Sequence, residues 1–237
     1  MNADNLLQTI DLCRYYRRGE HQIRALDHID LSLRRGELLA VVGSSGSGKS
    51  TLLNLMAGLD TPTSGRVVIG GRALGEMSRR ELSAFRAGRI GMVFQSFNLL
   101  PHLSALRNVE LALYFTSAAK RERRKMAGEM LERLGLGERL HHLPGELSGG
   151  EQQRVAMARA LIKKPEIVYA DEPTGNLDFD NATQLGKLLA DLNSHGLTVV
   201  IATHDLTLAQ QIGHRRIHLR YGCLIDDPDF HPEEVAS

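Results

Sequence analysis

The segment from Gly43 to Ser50, GSSGSGKS, constrains this chain more than any other part of its sequence. It fits the pattern G-x-x-x-x-G-K-[ST] and lies between an apolar run, ELLAVVG, and a stretch of helical periodicity, TLLNLMAGL. A short, continuously apolar run is typical of a strand buried on both faces of a parallel sheet. The segment therefore predicts a strand, a glycine-rich turn and a helix in immediate succession.

Three further apolar runs have the same form: IGMVF, EIVYADE and LTVVIATH. They alternate with stretches of helical periodicity such as ATQLGKLLADLNSHG and LTLAQQIG, which predicts an α/β fold with crossover helices. Near the N-terminus, LLQTIDLCRYYRRG, HIDLSLRRG and GRVVIGGR are bounded by glycine and basic turns. These three segments predict antiparallel strands.

The glycine-rich turn has the chemistry of a phosphate site. Its backbone N–H groups can turn inward around phosphate oxygens, and the following helix adds its positive dipole end. Lys49 would reach the β and γ phosphates of a nucleotide, and the Ser50 hydroxyl would ligate Mg²⁺. The nucleotide-binding residues predicted from this motif are Gly43, Ser44, Ser45, Gly46, Ser47, Gly48, Lys49, Ser50 and Thr51.

Two carboxylates, Asp171 and Glu172, close the apolar run IVYADE. Asp171 would hold Mg²⁺, through water, and Glu172 could take a proton from an attacking water molecule. One carboxylate at a strand end is common. Two that close a buried strand, in a chain that already has a P-loop, favour nucleotide hydrolysis.

A second candidate anion site lies in LSGGEQQRVAMARA. Ser148 and Glu151 have the spacing of a capping box, and Gly149 and Gly150 are expected to leave the first helical turn bare. A bare helix N-terminus suits a phosphate. By shape alone, the alternative is that Ser148 only caps a helix whose apolar residues pack inward.

Composition excludes little. The chain has 237 residues, 42% of them hydrophobic, and 29 Lys and Arg against 28 Asp and Glu give a net charge of +1, so no nucleic-acid partner is expected. Cys13 and Cys223 lack metal-type spacing, the histidines suggest no metal site, and the N-terminus lacks a signal layout, which favours a cytoplasmic protein. No apolar run approaches the roughly 20 residues of a membrane span.

The segment LSGGEQQRVAMARAL, between a P-loop and an Asp-Glu strand, resembles the signature motif of ATP-binding cassette (ABC) proteins. Gln95 in VFQSFNLLP matches the Q-loop glutamine of that family, Asp178 in GNLD matches its D-loop, and His204 in IATHD matches its switch histidine. Tyr16 in YYRRG matches the aromatic residue that stacks on adenine, with its neighbour Tyr15 as the alternative.

The resemblance implies the organisation of the chain. It predicts a P-loop NTPase fold of the ABC type: one ATP-binding domain over residues 6–225 with a mostly parallel sheet. The core and an antiparallel β subdomain are expected over 6–88 and 164–225. A helical subdomain is expected at approximately 89–163, and a short tail at 226–237.

The resemblance also implies a mechanism that uses ATP and Mg²⁺. In the family, two such domains pack head to tail, so Ser148, Gly149 and Gly150 would contact an ATP held by Lys49 of a second copy in a homodimer. Glu172 would act as general base and His204 would contact the γ-phosphate. Gln95 would sense Mg²⁺ and the attacking water.

The partner implied is an integral-membrane permease, contacted near Gln95–Val109. The sequences of these motifs are similar to those of bacterial ABC subunits that serve lipoprotein release and macrolide or peptide export. This similarity implies a peripheral protein at the cytoplasmic face of the inner membrane. The alternative is a soluble ABC ATPase that acts on ribosomes or DNA. Its usual fused or inserted modules are not found in this sequence.

Overall fold

The computed structural model describes residues 5–19, 21–114, 116, 118–212 and 215–225. It contains a six-stranded sheet, a four-stranded sheet and a group of helices beside them. The tail expected at 226–237 lies outside the described residues. None of the described helices combines the length and the apolar character that crossing a bilayer requires.

The six-stranded sheet forms the core, in the order β10-β9-β3-β8-β7-β6. All its neighbouring pairs are parallel except β9 and β10, which are antiparallel. Every residue of β3 and β8 is buried, as expected for strands covered on both faces. The strands are β3 (Leu38–Val42), β6 (Ile90–Phe94), β7 (Ile167–Asp171), β8 (Thr198–Thr203), β9 (Arg215–Arg220) and β10 (Cys223–Ile225).

The smaller sheet is antiparallel, with the order β2-β1-β4-β5. The antiparallel strands predicted near the N-terminus are therefore confirmed. Register shifts interrupt the pairing of β1 with β2, which is the mark of β-bulges. The strands are β1 (Asn5–Arg18), β2 (His21–Arg34), β4 (Ser64–Ile69) and β5 (Arg72–Ala73).

The helices fill the space around the two sheets. Helix α1 joins them, because Leu52 belongs to one apolar cluster with Leu7 of the small sheet and Val41 of the core sheet. Helices α5, α6 and α7 pack on the opposite face of the core sheet. The helices are α1 (Lys49–Met56), α2 (Arg79–Arg89), α3 (Ala105–Glu110), α4 (Lys120–Arg133), α5 (Gly149–Leu161), α6 (Phe179–Ser194) and α7 (Leu206–Ile212).

Helices α3, α4 and α5 share a separate apolar cluster that includes Leu106, Leu131 and Val155. Strand β6 lies before them in the chain and pairs with β7 in the core sheet. The helical part therefore begins beyond Phe94 rather than near residue 89. The core sheet carries the P-loop and the Asp-Glu pair, and the helical part carries the signature segment.

Candidate active site

The P-loop turns tightly between β3 and α1. Gly48 has φ +109°, and a Cβ at that position would lie 2.4 Å from the carbonyl oxygen of Ala25, so only glycine fits. A Cβ at Gly43 would come within 2.3 Å of the carbonyl oxygen of Leu219. Within the described part of the chain, no side chain caps the N-terminus of α1. The first N–H groups of α1 are thus free of side-chain competition for an anion.

Lys49 folds back over this turn. Its Nζ donates to the carbonyl oxygens of Gly43 at 2.7 Å and Ser44 at 3.1 Å, and the side chain is only 6% exposed. The same Nζ lies 3.1 Å from Glu172 Oε1. A buried ammonium group therefore stands beside the phosphate cradle with a carboxylate as its counter-ion.

Glu172 lies between Lys49 and His204. Its other oxygen, Oε2, lies 2.8 Å from His204 Nδ1. The backbone of Glu172 has φ +46°, a conformation that costs a non-glycine residue roughly 1–2 kcal/mol. Its N–H donates to the carbonyl oxygen of Ala202 at 2.8 Å, which holds the turn in place. This turn brings the carboxylate into the P-loop cavity after β7 has ended at Asp171.

Asp171 and Ser50 form an oxygen pair beside that cavity. The Ser50 hydroxyl donates to Asp171 Oδ1 at 3.0 Å. Burial raises the pKa of the Asp171 carboxyl above its ordinary value, and the negative charge of Glu172 raises it further. The Ser50 hydrogen bond and the charge of Lys49 partly offset both effects. Hydroxyl and carboxylate oxygens are the donors that Mg²⁺ prefers, so the pair fits that ion.

One cavity of about 550 Å³ brings most of these groups together. Gln95, the predicted Q-loop residue, also lines it, and its amide packs against Gly175. Residues from six separate regions of the chain thus share one space. The lining residues are Ile23, Arg24, Ala25, Ser45, Gly46, Gly48, Lys49, Ser50, Thr51, Gln95, Glu172, His204 and Tyr221.

The signature segment lies elsewhere. Ser148 Oγ accepts from the Glu151 N–H at 3.3 Å, and the Glu151 carboxylate accepts from the Ser148 N–H at 2.8 Å, so the predicted capping box is present. These hydrogen bonds, with the Arg139 guanidinium, hold the pKa of Glu151 below its ordinary value. Among the described residues, none of Ser148–Gly150 lines the P-loop cavity.

The two glycines of the signature segment differ. Gly149 is half-buried, but Gly150 is buried, and a Cβ there would lie 2.1 Å from Asn181 Oδ1. Asn181 is fixed in turn by Asp178, which caps α6 and accepts from the Asn181 N–H at 2.8 Å. The expectation that both glycines leave the first turn bare is therefore wrong for Gly150, whose open side is filled by α6.

The two tyrosines predicted near adenine point to different partners. The Tyr16 hydroxyl donates to Asp60 Oδ2 at 2.9 Å, and the Arg14 guanidinium lies 4.5 Å above the Tyr16 ring. The Tyr15 hydroxyl donates to Asp27, which raises the pKa of Tyr15. Tyr16 pairs across the antiparallel sheet with Ile23, which lines the cavity, and the Tyr16 side chain is partly exposed. Tyr16 is thus one strand away from the cavity wall.

Sequence reasoning missed a third aromatic residue, Tyr221. It is 80% exposed, lies at the turn between β9 and β10, and lines the cavity. The next residue, Gly222, fixes this turn, since its N–H donates to the Ser47 carbonyl at 3.0 Å and its carbonyl accepts from the Asp27 N–H at 2.8 Å. The Tyr-Gly pair indicates a turn, but only the fold reveals that the turn packs on the P-loop.

Hydrogen bonds connect the signature helix with the loops around the cavity. Gln153 of α5 donates to the Pro173 carbonyl at 2.8 Å, one residue beyond Glu172. Arg159 of α5 donates to the carbonyl oxygen of Phe97 at 2.7 Å, near Gln95. A displacement of α5 would therefore reach both the Glu172 turn and the segment after Gln95.

Comparison with known proteins identifies the family. The chain matches the model of the ABC transporter family over residues 26–175. It is 46% identical to the macrolide export ATP-binding/permease protein MacB of Hyphomonas neptunium over 222 residues, which are 94% of this chain but 34% of that protein. It is 48% identical to the ABC transporter ATP-binding protein YbbA of Escherichia coli over 210 residues, 88% of this chain and 92% of YbbA.

A solved structure gives the same result. The ATP-binding cassette MJ0796, in a dimeric post-hydrolysis state bound to ADP and Pi, superposes with a TM-score of 0.86 and 42% sequence identity. The superposition covers 93% of this chain and 97% of MJ0796. The predicted α/β fold of the P-loop ABC type is therefore confirmed. This chain belongs to the ABC transporter family, and it is an ABC-type ATPase domain of that family.

Proposed function

We propose that this chain is the ATP-hydrolysing subunit of a membrane transporter that works in export or release at the cell envelope. ATP-driven closure of a homodimer would power that transporter. The observation that carries the proposal is the Lys49–Glu172–His204 arrangement beside the Ser50–Asp171 pair in one P-loop cavity. This arrangement combines a turn that can hold phosphates, two oxygen atoms that can ligate a metal ion and a carboxylate that can accept a proton from a water molecule.

The cradle residues, Gly43 to Thr51, are proposed to hold the phosphates of ATP. Lys49 would leave Glu172 and contact the β and γ phosphates, because its ammonium group already lies beside the turn. Tyr16, one strand from the wall residue Ile23, remains the proposed contact of adenine. The aromatic face opposite the Arg14 guanidinium would receive the base.

Ser50, Asp171 and Gln95 are proposed to hold Mg²⁺. The bound ion would neutralise charge that develops on the transferred phosphoryl group. Asp171, hydrogen-bonded to the Ser50 hydroxyl, would act through water, and Gln95, which lines the same cavity as Ser50, would sense the ion.

Glu172 is proposed to take the proton of the attacking water. Departure of Lys49 toward phosphate would leave one carboxylate oxygen of Glu172 without its cation and open to water. His204, 2.8 Å from the other oxygen, would orient the carboxylate and contact the γ-phosphate. The positive φ of Glu172 is consistent with a side chain held for chemistry rather than for packing.

Ser148, Gly149, Gly150 and Asp178 are proposed to act on the ATP of the partner copy. The signature helix lies away from the P-loop cavity of its own chain, so a second copy is the natural source of its nucleotide. MJ0796, with a TM-score of 0.86 to this chain, was solved as a dimer with ADP and Pi. Exposed Ser148 and half-buried Gly149 offer the accessible side of this N-terminus.

The proposed contact of the permease is a groove of about 1010 Å³ beside the segment from Gln95 to Val109. Its lining is mainly apolar and includes the exposed residues Leu59 and Leu100. Buried Asn108 fixes the loop that presents Leu100, because its amide bonds to the N–H and the carbonyl of that residue. An apolar groove with a rigid rim suits a short amphipathic helix of a partner. The chain would then lie at the cytoplasmic face of the inner membrane.

The similarity to MacB over about a third of its length supports export or envelope work. The rival function, a soluble ABC ATPase on ribosomes or DNA, predicts no membrane partner. We would express the full chain in its native host and isolate it from solubilised membranes. Recovery of a multi-span subunit supports the transporter function, whereas co-sedimentation with ribosomes or DNA alone contradicts it.

A pair of variants makes this test specific to the groove. Leu100→Glu, at a 40% exposed position in the groove, should lose the membrane subunit but keep basal ATPase activity. Ile225→Glu, at a 44% exposed position on β10, is the matched control and should keep both. Equal recovery of the membrane subunit with both variants would place its contact elsewhere.

A further inference from the structure

A cluster of three different metal-ligating side chains lies on the antiparallel sheet, outside the site described above. It consists of Asp11 and Cys13 on β1 and His28 on β2. Their candidate ligand atoms all lie within 4.8 Å of one another. Among the described residues, no other group of three or more His, Cys, Asp or Glu side chains has this spacing.

The bulges of the sheet create this cluster. The register of β1 against β2 shifts on both sides of Leu12, and its register against β4 shifts between Ile10 and Cys13. Asp11 and His28 both adopt positive φ, +49° and +52°. Two non-glycine residues in this uncommon conformation, on facing strands, interrupt the regular alternation of side chains where the three groups meet.

The geometry joins the three groups directly. His28 Nδ1 lies 2.5 Å from Asp11 Oδ1, and the His28 N–H donates to Cys13 Sγ at 3.3 Å. Cys13 is 1% exposed, whereas the side chains of Asp11 and His28 are 61% and 68% exposed. The cluster therefore has a buried sulfur and a side open to solvent, by which an ion can enter.

Two further carboxylates lie close to the proposed metal ligands. His28 Nε2 lies 3.8 Å from Asp27 Oδ1, and Asp30 Oδ1 accepts from the Asp11 N–H at 2.8 Å. A carboxylate near the second nitrogen of a metal-bound imidazole favours one tautomer and ring orientation, and Asp27 lies just beyond hydrogen-bond distance of that nitrogen.

We propose that Asp11, Cys13 and His28 bind Zn²⁺, with water in the fourth position, and so clamp β1 to β2 at the bulge. Thiolate, imidazole and carboxylate are the ligand set of Zn²⁺, and the hard ions Mg²⁺ and Ca²⁺ do not select a thiolate. Binding widens the contact between His28 Nδ1 and Asp11 Oδ1, since both atoms then face the ion.

The proposal is tested with the purified full chain in a Cys223→Ser background, because Cys223 is the other, exposed thiol. Excess Mg²⁺ is added to fill oxygen-only sites, and Co²⁺ serves as the optical probe. We expect the absorption of a thiolate–Co²⁺ bond, reversed by Zn²⁺. Its absence overturns the proposal, and so does its survival in Cys13→Ser.

Exposed variants keep the test valid if Cys13→Ser fails to fold. His28→Gln and Asp11→Asn should each weaken Zn²⁺ binding at least about tenfold, measured by competition with a chelating dye. The matched control is His195→Gln, since His195, which directly follows α6, forms a similar surface pair with Asp191 of that helix, Nδ1 to Oδ1 3.8 Å. Unchanged Zn²⁺ affinity in His28→Gln overturns the proposal. The ATPase assay is not part of the readout, so the two proposals stand or fall separately.

Discussion

Helix α1 directly follows a glycine and helix α5 begins with two, but of these two helices only α5 has a side-chain cap at its N-terminus. At α1, no side chain in the described residues caps the N-terminus, and Gly48 leads into it with left-handed backbone. At α5, Ser148 and Glu151 form a capping box, and Gly150 lies against Asn181. The first N-terminus is ready for an anion within its own chain. The N-terminus of α5 is already stabilised by its own chain, and only its outer side is accessible to a ligand.

The charges around the two helices also differ. The P-loop helix carries buried Lys49, whose counter-ion is the proposed base Glu172. The signature helix carries Glu151, whose carboxylate is used up by the Ser148 N–H and Arg139. The proposed catalytic charges therefore lie beside α1, whereas the charge of Glu151 at the start of α5 is already paired within a stable edge. Such an edge suits recognition of a phosphate that another chain delivers.

The largest expected effect is that of Glu172→Gln. The amide keeps the shape of the side chain but cannot take a proton, so we expect ATP turnover to fall about 10²–10⁴-fold. ATP binding should persist, because the Gly43–Thr51 cradle is untouched, and ATP should trap a dimer. Phosphate release and size-exclusion chromatography measure the two outcomes.

Glu166→Gln is the control for this prediction. Glu166 lies just before the same strand, at its other end, and pairs with Arg35 and Arg89 on the surface. It should hydrolyse ATP at the wild-type rate. If Glu172→Gln also hydrolyses ATP at the wild-type rate, Glu172 is not the general base, and another residue must take the proton of the attacking water.

The second prediction tests the edge of α5. Ser148→Arg fills the space before this N-terminus and adds positive charge at the positive end of the helix. We expect ATPase activity to fall at least about tenfold, a loss of ~1.4 kcal/mol in closure. Binding of a fluorescent ATP analogue to the dilute monomer should be unchanged.

Helix α2 supplies a matched control, because Ser78 and Glu81 form the same capping box. Ser78→Arg removes an equivalent cap, which is worth typically ~1 kcal/mol of stability, without touching α5. Only Ser148→Arg should lose ATPase activity. If both variants lose it equally, the loss reflects a missing cap, and if Ser148→Arg also weakens monomer binding, α5 does not act on a partner's nucleotide.

Much of this comparison was predictable from sequence. Local patterns fix β3, the P-loop and α1, because an apolar run, a glycine-rich turn and helical periodicity follow one another without a gap. The capping box at Ser148 is equally local. Asp171 ends β7, and Glu172 and His204 directly follow β7 and β8, which are parallel neighbours, so their meeting follows from the fold class.

Other features depend on contacts between distant segments, which periodicity does not encode. Asn181 covers Gly150 only because α6 crosses the start of α5, and Tyr221 reaches the cavity only because its turn packs on the P-loop. Cys13 and His28 show no metal-type spacing along the chain. The bulges in β1 and β2 bring them together.

The third prediction concerns the contact between Gly150 and Asn181. A methyl group at Gly150 would overlap Asn181, which is held by Asp178, so we expect Gly150→Ala to lower the free energy of unfolding by about 1–3 kcal/mol. Gly128 lies within α4, and a Cβ there would lie 3.9 Å from the nearest neighbouring atom. Gly128→Ala should therefore raise the free energy of unfolding by about 0.5–1 kcal/mol.

Urea denaturation of both variants measures whether each substitution lowers or raises the free energy of unfolding. Adding Asn181→Ala should restore part of the stability lost in Gly150→Ala, because it removes the overlapping atoms. If Gly150→Ala stabilises as Gly128→Ala does, the open side of Gly150 is not filled by α6, and the two N-termini are more alike than the contacts indicate.

The smallest expected effect uses the opposite pKa shifts of the carboxyls at the two helices. Burial raises the pKa of Asp171, whereas the Ser148 N–H lowers that of Glu151. The ionised form of Asp171, which the proposed Mg²⁺ site needs, is lost as the pH falls through this raised pKa, while Glu151 remains ionised. The Mg²⁺ concentration for half-maximal ATPase activity should therefore rise on acidification, beginning above the ordinary range of an aspartate. Binding of the ATP analogue in EDTA should stay constant over the same pH range; if it falls in parallel, groups of the phosphate cradle rather than Asp171 cause the pH dependence.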